Sequence, residues 1–150
     1  GEVLDGRGAD MARRVRLDLS RRDPRLADTV IQVACDVDNP FHGPRGAAHV
    51  FGPQKGAGPA AVARLDAGLS RLADVVRAQT GVDLQELPGA GAAGGAAGAL
   101  AALFGAELTP GAPLVLDAIG FADRLEGAGL GVSCLLYTWP SPRERKRHRQ

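Results

Sequence analysis

"TVIQVACDVDN", residues 29–39, is the stretch on which the fold reading turns. It is β-branched, almost continuous in apolar character, and stopped by Asp38-Asn39-Pro40. A run of this kind predicts a strand over 29–37, buried on both faces as strands of parallel sheets are. Towards the C-terminus, "GPRGAAHVF" (43–51) predicts a short helix with Pro44 in its first turn. "GPAAVARLDAGLSRLADVVRAQTG" (58–81) is the clearest helix of the chain. Val62, Leu65, Leu69, Leu72, Val75 and Val76 repeat at three- and four-residue steps, Pro59 suits the first turn, and Gly81 suits the stop. "VDLQELPGAGAAGG" (82–95) reads as a loop entering a second helix, "AAGALAALFGA" (96–106). After a Pro110-Gly111 turn, "LVLDAIGFADRLEGA" (114–128) predicts a third helix, and "LGVSCLL" (130–136) starts another strand. Towards the N-terminus, "DMARRVRL" (10–17) predicts a short helix capped by Asp10, and residues 18–29 are turn-rich and charged. Strand, helix and glycine loop alternate, so the fold class is α/β.

Composition narrows the function classes. The 150 residues are 45% hydrophobic, too apolar for a disordered chain, and only 4% aromatic, which favours small-residue helices on a sheet over an aromatic-rich sandwich. "GEVLDGRGAD" has no apolar core of a secretion signal, and the Ala/Gly/Leu stretch is too interrupted by glycine for a membrane span. Cys35 and Cys134 lie far apart without ligand spacing, which predicts two buried thiols in a reducing, cytoplasmic setting. The formal charge of +1 hides an asymmetry: "RERKRHRQ" (143–150) holds five of the 18 Lys/Arg and one of the 17 Asp/Glu, and without it 13 face 16, a net of −3. Nucleic-acid binding therefore has no support outside the tail, and nothing points to a membrane or sets an oligomeric state. The only Trp and the only Tyr, Trp139 and Tyr137, also fall near this end. The reading is a body over 1–134, incomplete at both ends, and a non-native basic tail over 135–150.

Three segments carry residues suited to chemistry. Asp36, Asp38 and Asn39 lie at the C-terminal end of the predicted strand, the edge at which open α/β sheets bind ligands. Alternation along an extended strand puts Asp36 and Asp38 on one side, where they could hold Mg²⁺ or take a proton from a substrate hydroxyl; an Asx-turn closing the strand is the structural alternative. "GPQKGAG" (52–58) sets Gln54 and Lys55 among small residues, and Lys55 is the only lysine before the tail. It is either a phosphate or carboxylate contact or a solvated loop lysine. Gly89, Gly91, Gly94 and Gly95 precede a helix whose free N–H groups suit an anion, though no Gly-Lys-Ser/Thr follows; close helix packing is the alternative. His42 and His49 lack the spacing and partners of a zinc pair.

Together, "ACDVDNPFHGPRGAAHVFGPQKGA" (34–57), "LPGAGAAGGAAGALAALFGAELTPG" (87–111) and "LVLDAIGFADRL" (114–125) strongly resemble the bacterial glycerate kinase family without a P-loop. "LDLSRRDPRL" (17–26) resembles it too, and the likeness runs from about residue 8 to 131. The resemblance implies an internal fragment of a two-domain enzyme, with a Rossmann-like domain, a second α/β domain and the site in the cleft between them. It implies ATP-dependent phosphorylation of glycerate, usually to 2-phosphoglycerate, with ATP and Mg²⁺ as cofactors. On that reading Asp36, Asp38 and Lys55 are catalytic, the two aspartates are also the metal ligands, and Asn39, Gln54, Gly89, Gly91, Gly94 and Gly95 bind substrate or nucleotide. The segments matching the family's early part and its "TGEG"-type motif are absent, which puts the activity of this segment alone in doubt. The alternative is a non-catalytic sugar-acid or nucleotide-binding α/β module.

Overall fold

A computed structural model describes residues 8–13 and 16–129. The sequence expectations for 130–150, namely a strand over 130–136, Cys134, Tyr137, Trp139 and the basic tail, lie outside the described residues. The chain divides into two compact units, Gly1–Val115 and Leu116–Gln150.

The first unit is built around α2 (Pro59–Thr80). Gly58 sits in extended backbone at its N-cap, Pro59 opens it, and Gly81 ends it in the left-handed region, φ 77°, with its N–H donating to the Arg77 carbonyl at 2.9 Å. Val62, Leu69, Ala73 and Val76 are buried along one face. They form one cluster with Phe41, Ala47 and Ala48 from the loop and short helix before α2, and with Leu84 and Ala90 after it. α1 (Ala47–Phe51) lies next to α2, and Gly52 after it leaves its missing Cβ 3.3 Å from Val62 Cγ2, so the two helices meet closely. The expected Pro44 start is replaced by Gly46 as N-cap.

The sheet is a parallel pair. β1 (Gln32–Ala34) runs beside β2 (Glu107–Thr109), with Gln32 opposite Glu107, Val33 opposite Leu108 and Ala34 opposite Thr109. α1, α2 and α3 (Ala96–Phe104) make up the helices of the crossover between them. This corrects two sequence expectations. The strand predicted over 29–37 keeps only three ladder residues, and it is not buried on both faces: Val33 is half-buried, Gln32 and Ala34 are exposed, and Val30 is 84% exposed. Within the described residues it has one neighbouring strand, which is too little sheet to cover both faces. β2 carries no run of β-branched residues and gave no strand signal of its own.

The third predicted helix is divided. α4 (Gly111–Ala118) begins in the first unit and ends in the second, and α5 (Phe121–Arg124) follows. Gly120 between them adopts φ 61°, a conformation that interrupts a right-handed helix. At the N-terminus a 3₁₀ turn, Gly8–Ala12, replaces the helix predicted from Asp10, and Asp10 lies inside it.

Leu84 is wholly buried in the cluster, so Leu84→Ala should cost about 2–5 kcal/mol by urea denaturation, while Val30→Ala should stay within about 0.5 kcal/mol of the parent. Equal effects would contradict this placement of the core.

Candidate functional site

The polar strip Cys35–Phe41 leaves β1 at the C-terminal edge of the parallel pair. Its first residue still bonds to the neighbouring strand, the Cys35 N–H donating to the Thr109 carbonyl at 2.8 Å. Its last, Phe41, is 1% exposed and anchors the strip in the core. Cys35 is half-buried rather than fully buried, with Sγ 3.2 Å from the Val37 carbonyl oxygen.

Glycines let the 87–95 loop lie directly on this strip. Gly89 is buried at φ 80°, and a Cβ there would fall 2.8 Å from both Cys35 Sγ and the Val37 carbonyl oxygen. Gly91 is buried with its N–H donating to the Asn39 carbonyl at 2.9 Å, and a Cβ there would overlap the Pro40 carbonyl oxygen. Gly95, at φ 99°, leaves its missing Cβ 2.7 Å from the Phe41 ring. Gly94 differs: it is exposed at φ 76° with nothing near its missing Cβ. Ala93, Gly94 and Gly95 form three successive left-handed residues immediately before α3. Gly89, Gly91 and Gly95 therefore have a packing role, and Gly94 is the outward-facing member of the set.

Side chains pin the strip and the loop after it. Asn39 Nδ2 donates to the Arg45 carbonyl at 2.9 Å. Gln85 makes a reciprocal pair with the His42 backbone, accepting at 3.0 Å and donating at 3.3 Å. Asp66 of α2 accepts from the Gly43 N–H at 2.8 Å, and its other oxygen lies 3.8 Å from His49 Nε2. No group of three or more His, Cys, Asp or Glu able to hold a metal occurs among the described residues.

The catalytic candidates occupy different environments. Asp36 Oδ1 accepts from the Gly111 N–H at 2.7 Å. Asp38 is exposed and makes no hydrogen bond or ion pair among the described residues. Gln54 and Lys55 lie in an exposed 3₁₀ turn, Pro53–Lys55, closed by Gly56 at φ 86°. No hydrogen bond or ion pair among the described residues joins Lys55 to either aspartate. The carboxylates of Asp18 and Asp23 are held below the usual range, by hydrogen bonds from Ser20 and Arg25 respectively, but these close local turns away from the strip. Sequence reasoning missed Gly111, which it took for half of a turn, and Gln85 and Asp66, whose long-range partners leave no local pattern.

The sequence model of the glycerate kinase family matches residues 1–133. The chain belongs to the glycerate kinase family. It is 43% identical over 128 residues to the glycerate kinase of Halalkalibacterium halodurans, covering 85% of this chain and 34% of that protein. It is 46% identical over 117 residues to the glycerate 2-kinase of Escherichia coli K12, covering 78% and 31%. The crystal structure of a protein assigned as glycerate kinase 2 from Salmonella typhimurium LT2 superposes with a TM-score of 0.75 at 44% identity, over 79% of this chain and 32% of that one. The chain thus spans about a third of the length of these glycerate kinases.

Gly98 of α3 tests the packing directly. Its missing Cβ would lie 2.9 Å from Ala90 Cβ. In an open helix Gly→Ala gains about 1 kcal/mol; here Gly98→Ala should instead destabilise by about 1–3 kcal/mol, the range for overpacking. A gain in stability on thermal denaturation would show that α3 does not press on the glycine loop.

Proposed function

We propose that the whole protein transfers the γ-phosphoryl group of ATP to a hydroxyl of glycerate, giving phosphoglycerate and ADP. The observation that carries this reading is the family match, which takes in the strip, the glycine loop and the 52–58 segment together. The position of the phosphate is inferred from the relative named glycerate 2-kinase, so the proposed product is 2-phosphoglycerate. No helix among the described residues is long and apolar enough to cross a membrane. A cytoplasmic enzyme with small-molecule substrates and no nucleic-acid partner is the setting that fits this chemistry.

The reaction forms a bond between the glycerate oxygen and phosphorus, breaks the bridging bond to ADP, and releases the hydroxyl proton. Most of what a protein contributes to such a transfer is positioning and neutralisation of charge. The Lys55 side chain, exposed and without a hydrogen-bond or ion-pair partner among the described residues, is suited to meet phosphoryl charge. Asp36 and Asp38 divide the work of the strip, one to orient the glycerate hydroxyl or hold a cation and one to fix the strip itself. The residues present fit Mg²⁺ by donor type, because that ion needs only one or two carboxylates besides phosphate oxygens and water. When bound with ATP, Mg²⁺ would neutralise phosphate charge. Asn39, Gln54 and the outward Gly94 complete the proposed ligand contacts, with Gly89, Gly91 and Gly95 holding the loop that carries them.

ADP release measured with ATP, Mg²⁺ and glycerate tests the reading in the whole protein. Turnover is expected, and Lys55→Met and Asp38→Asn should each lower kcat at least about tenfold, about 1.4 kcal/mol of barrier, with the circular dichroism spectrum unchanged. Glycerate and ATP binding without turnover would instead make the protein a binding module. Parental kcat in either variant would remove that residue from the site.

A further inference from the structure

The contact between Asp36 and Gly111 is more built than a chance hydrogen bond. β1 and β2 are parallel, so both leave the sheet at the same edge, and Asp36 and Gly111 each lie two residues beyond a strand end. Gly111 is the first residue of α4, and its N–H is one that a helix cannot satisfy from within. Asp36 Oδ1 accepts it at 2.7 Å. Gly111 is buried, and a Cβ there would lie 2.9 Å from Asp36 Oδ2 and 3.3 Å from Oδ1. The carboxylate therefore occupies the space that any other residue at position 111 would need. The strip is thus held at Asp36 by Gly111 as well as at Val37 to Pro40 by Gly89 and Gly91.

We propose that Asp36 is a positioning residue that acts through Gly111, and that its acceptor oxygen, rather than its charge, is what the site requires. The inference rests on the kinase reading and refines it: Asp36 fixes the strip and neither takes the hydroxyl proton nor holds the metal. An asparagine at 36 keeps an oxygen for the Gly111 N–H, whereas an alanine keeps none.

Two readouts separate this from a chemical role. In the chain itself, hydrogen exchange of the Gly111 amide by NMR should accelerate at least about tenfold in Asp36→Ala and less than about threefold in Asp36→Asn. In the whole protein, Asp36→Asn should retain a kcat at least about tenfold above that of Asp36→Ala. Gly111→Ala, which expels the carboxylate, should reproduce the Asp36→Ala loss, and the double variant should be no worse than either single one. Equal kcat losses in Asn and Ala, with Gly111 still protected in Asn, would overturn the proposal by showing that the charge is used. Unchanged Gly111 exchange in Asp36→Ala would overturn it by showing that the contact is not held. If the parent whole protein does not phosphorylate glycerate, the kinase reading fails, and the exchange result alone decides: loss in Ala with retention in Asn upholds the Asp36 contact, and any other pattern overturns it.

Discussion

The first unit depends on a backbone approach that only glycine permits. Between Cys35 and Phe41 the chain leaves the sheet and turns into the core, and the 87–95 loop lies against it with no side chain of its own at Gly89, Gly91 or Gly95. The Gly91 N–H bond to the Asn39 carbonyl fixes the register of this approach. Moving the loop outward by the thickness of a methyl group would break that bond and withdraw Gly95 from the Phe41 ring, which is itself the largest fully buried side chain among the described residues. The loop then continues into α3, whose Gly98 presses on Ala90 of the same loop. One constraint thus runs from the strand exit through the loop to the helix.

This arrangement removes an apparent choice between packing and binding. The glycines that pack are those that hold the loop still, and the one that faces outward, Gly94, lies between them and the start of α3. The N–H groups around the start of α3 are themselves drawn into the loop, Gly95 donating to the Gly91 carbonyl, Ala96 to Ala92 and Gly98 to Ala90. The same holds for the acidic pair. Both are exposed residues, but Asp36 is drawn onto the Gly111 N–H while Asp38 makes no such bond among the described residues, so a single hydrogen bond separates two carboxylates two residues apart.

The elements legible in the sequence were those whose signals are local. Both ends and the buried face of α2 followed from Gly58-Pro59, Gly81 and the three- and four-residue steps of its apolar residues. The α/β class followed from the order of elements, and the family from the three quoted segments. What was not legible depended on partners distant in sequence. β2 is three residues long and exists as a strand because β1 lies beside it. The strand at 29–37 was overextended because apolar content alone does not say whether a second layer covers it, and Val30 is open to solvent. Gly111 gave only a turn signal, since the residue that explains it is Asp36, on the neighbouring strand.

Backbone conformation also calls for glycine at Gly89 and Gly95, both at positive φ, so the central claim, that the close approach itself demands glycine, is tested most directly at Gly91. Its φ of −75° and ψ of −9° are open to any L-residue, so an alanine there carries no conformational strain and any loss reports the approach to the Asn39-Pro40 backbone. Urea denaturation of Gly91→Ala against the parent chain is the measurement. The account predicts a destabilisation of about 1–3 kcal/mol, as for an overpacked core. A variant as stable as the parent, or more stable, would contradict it.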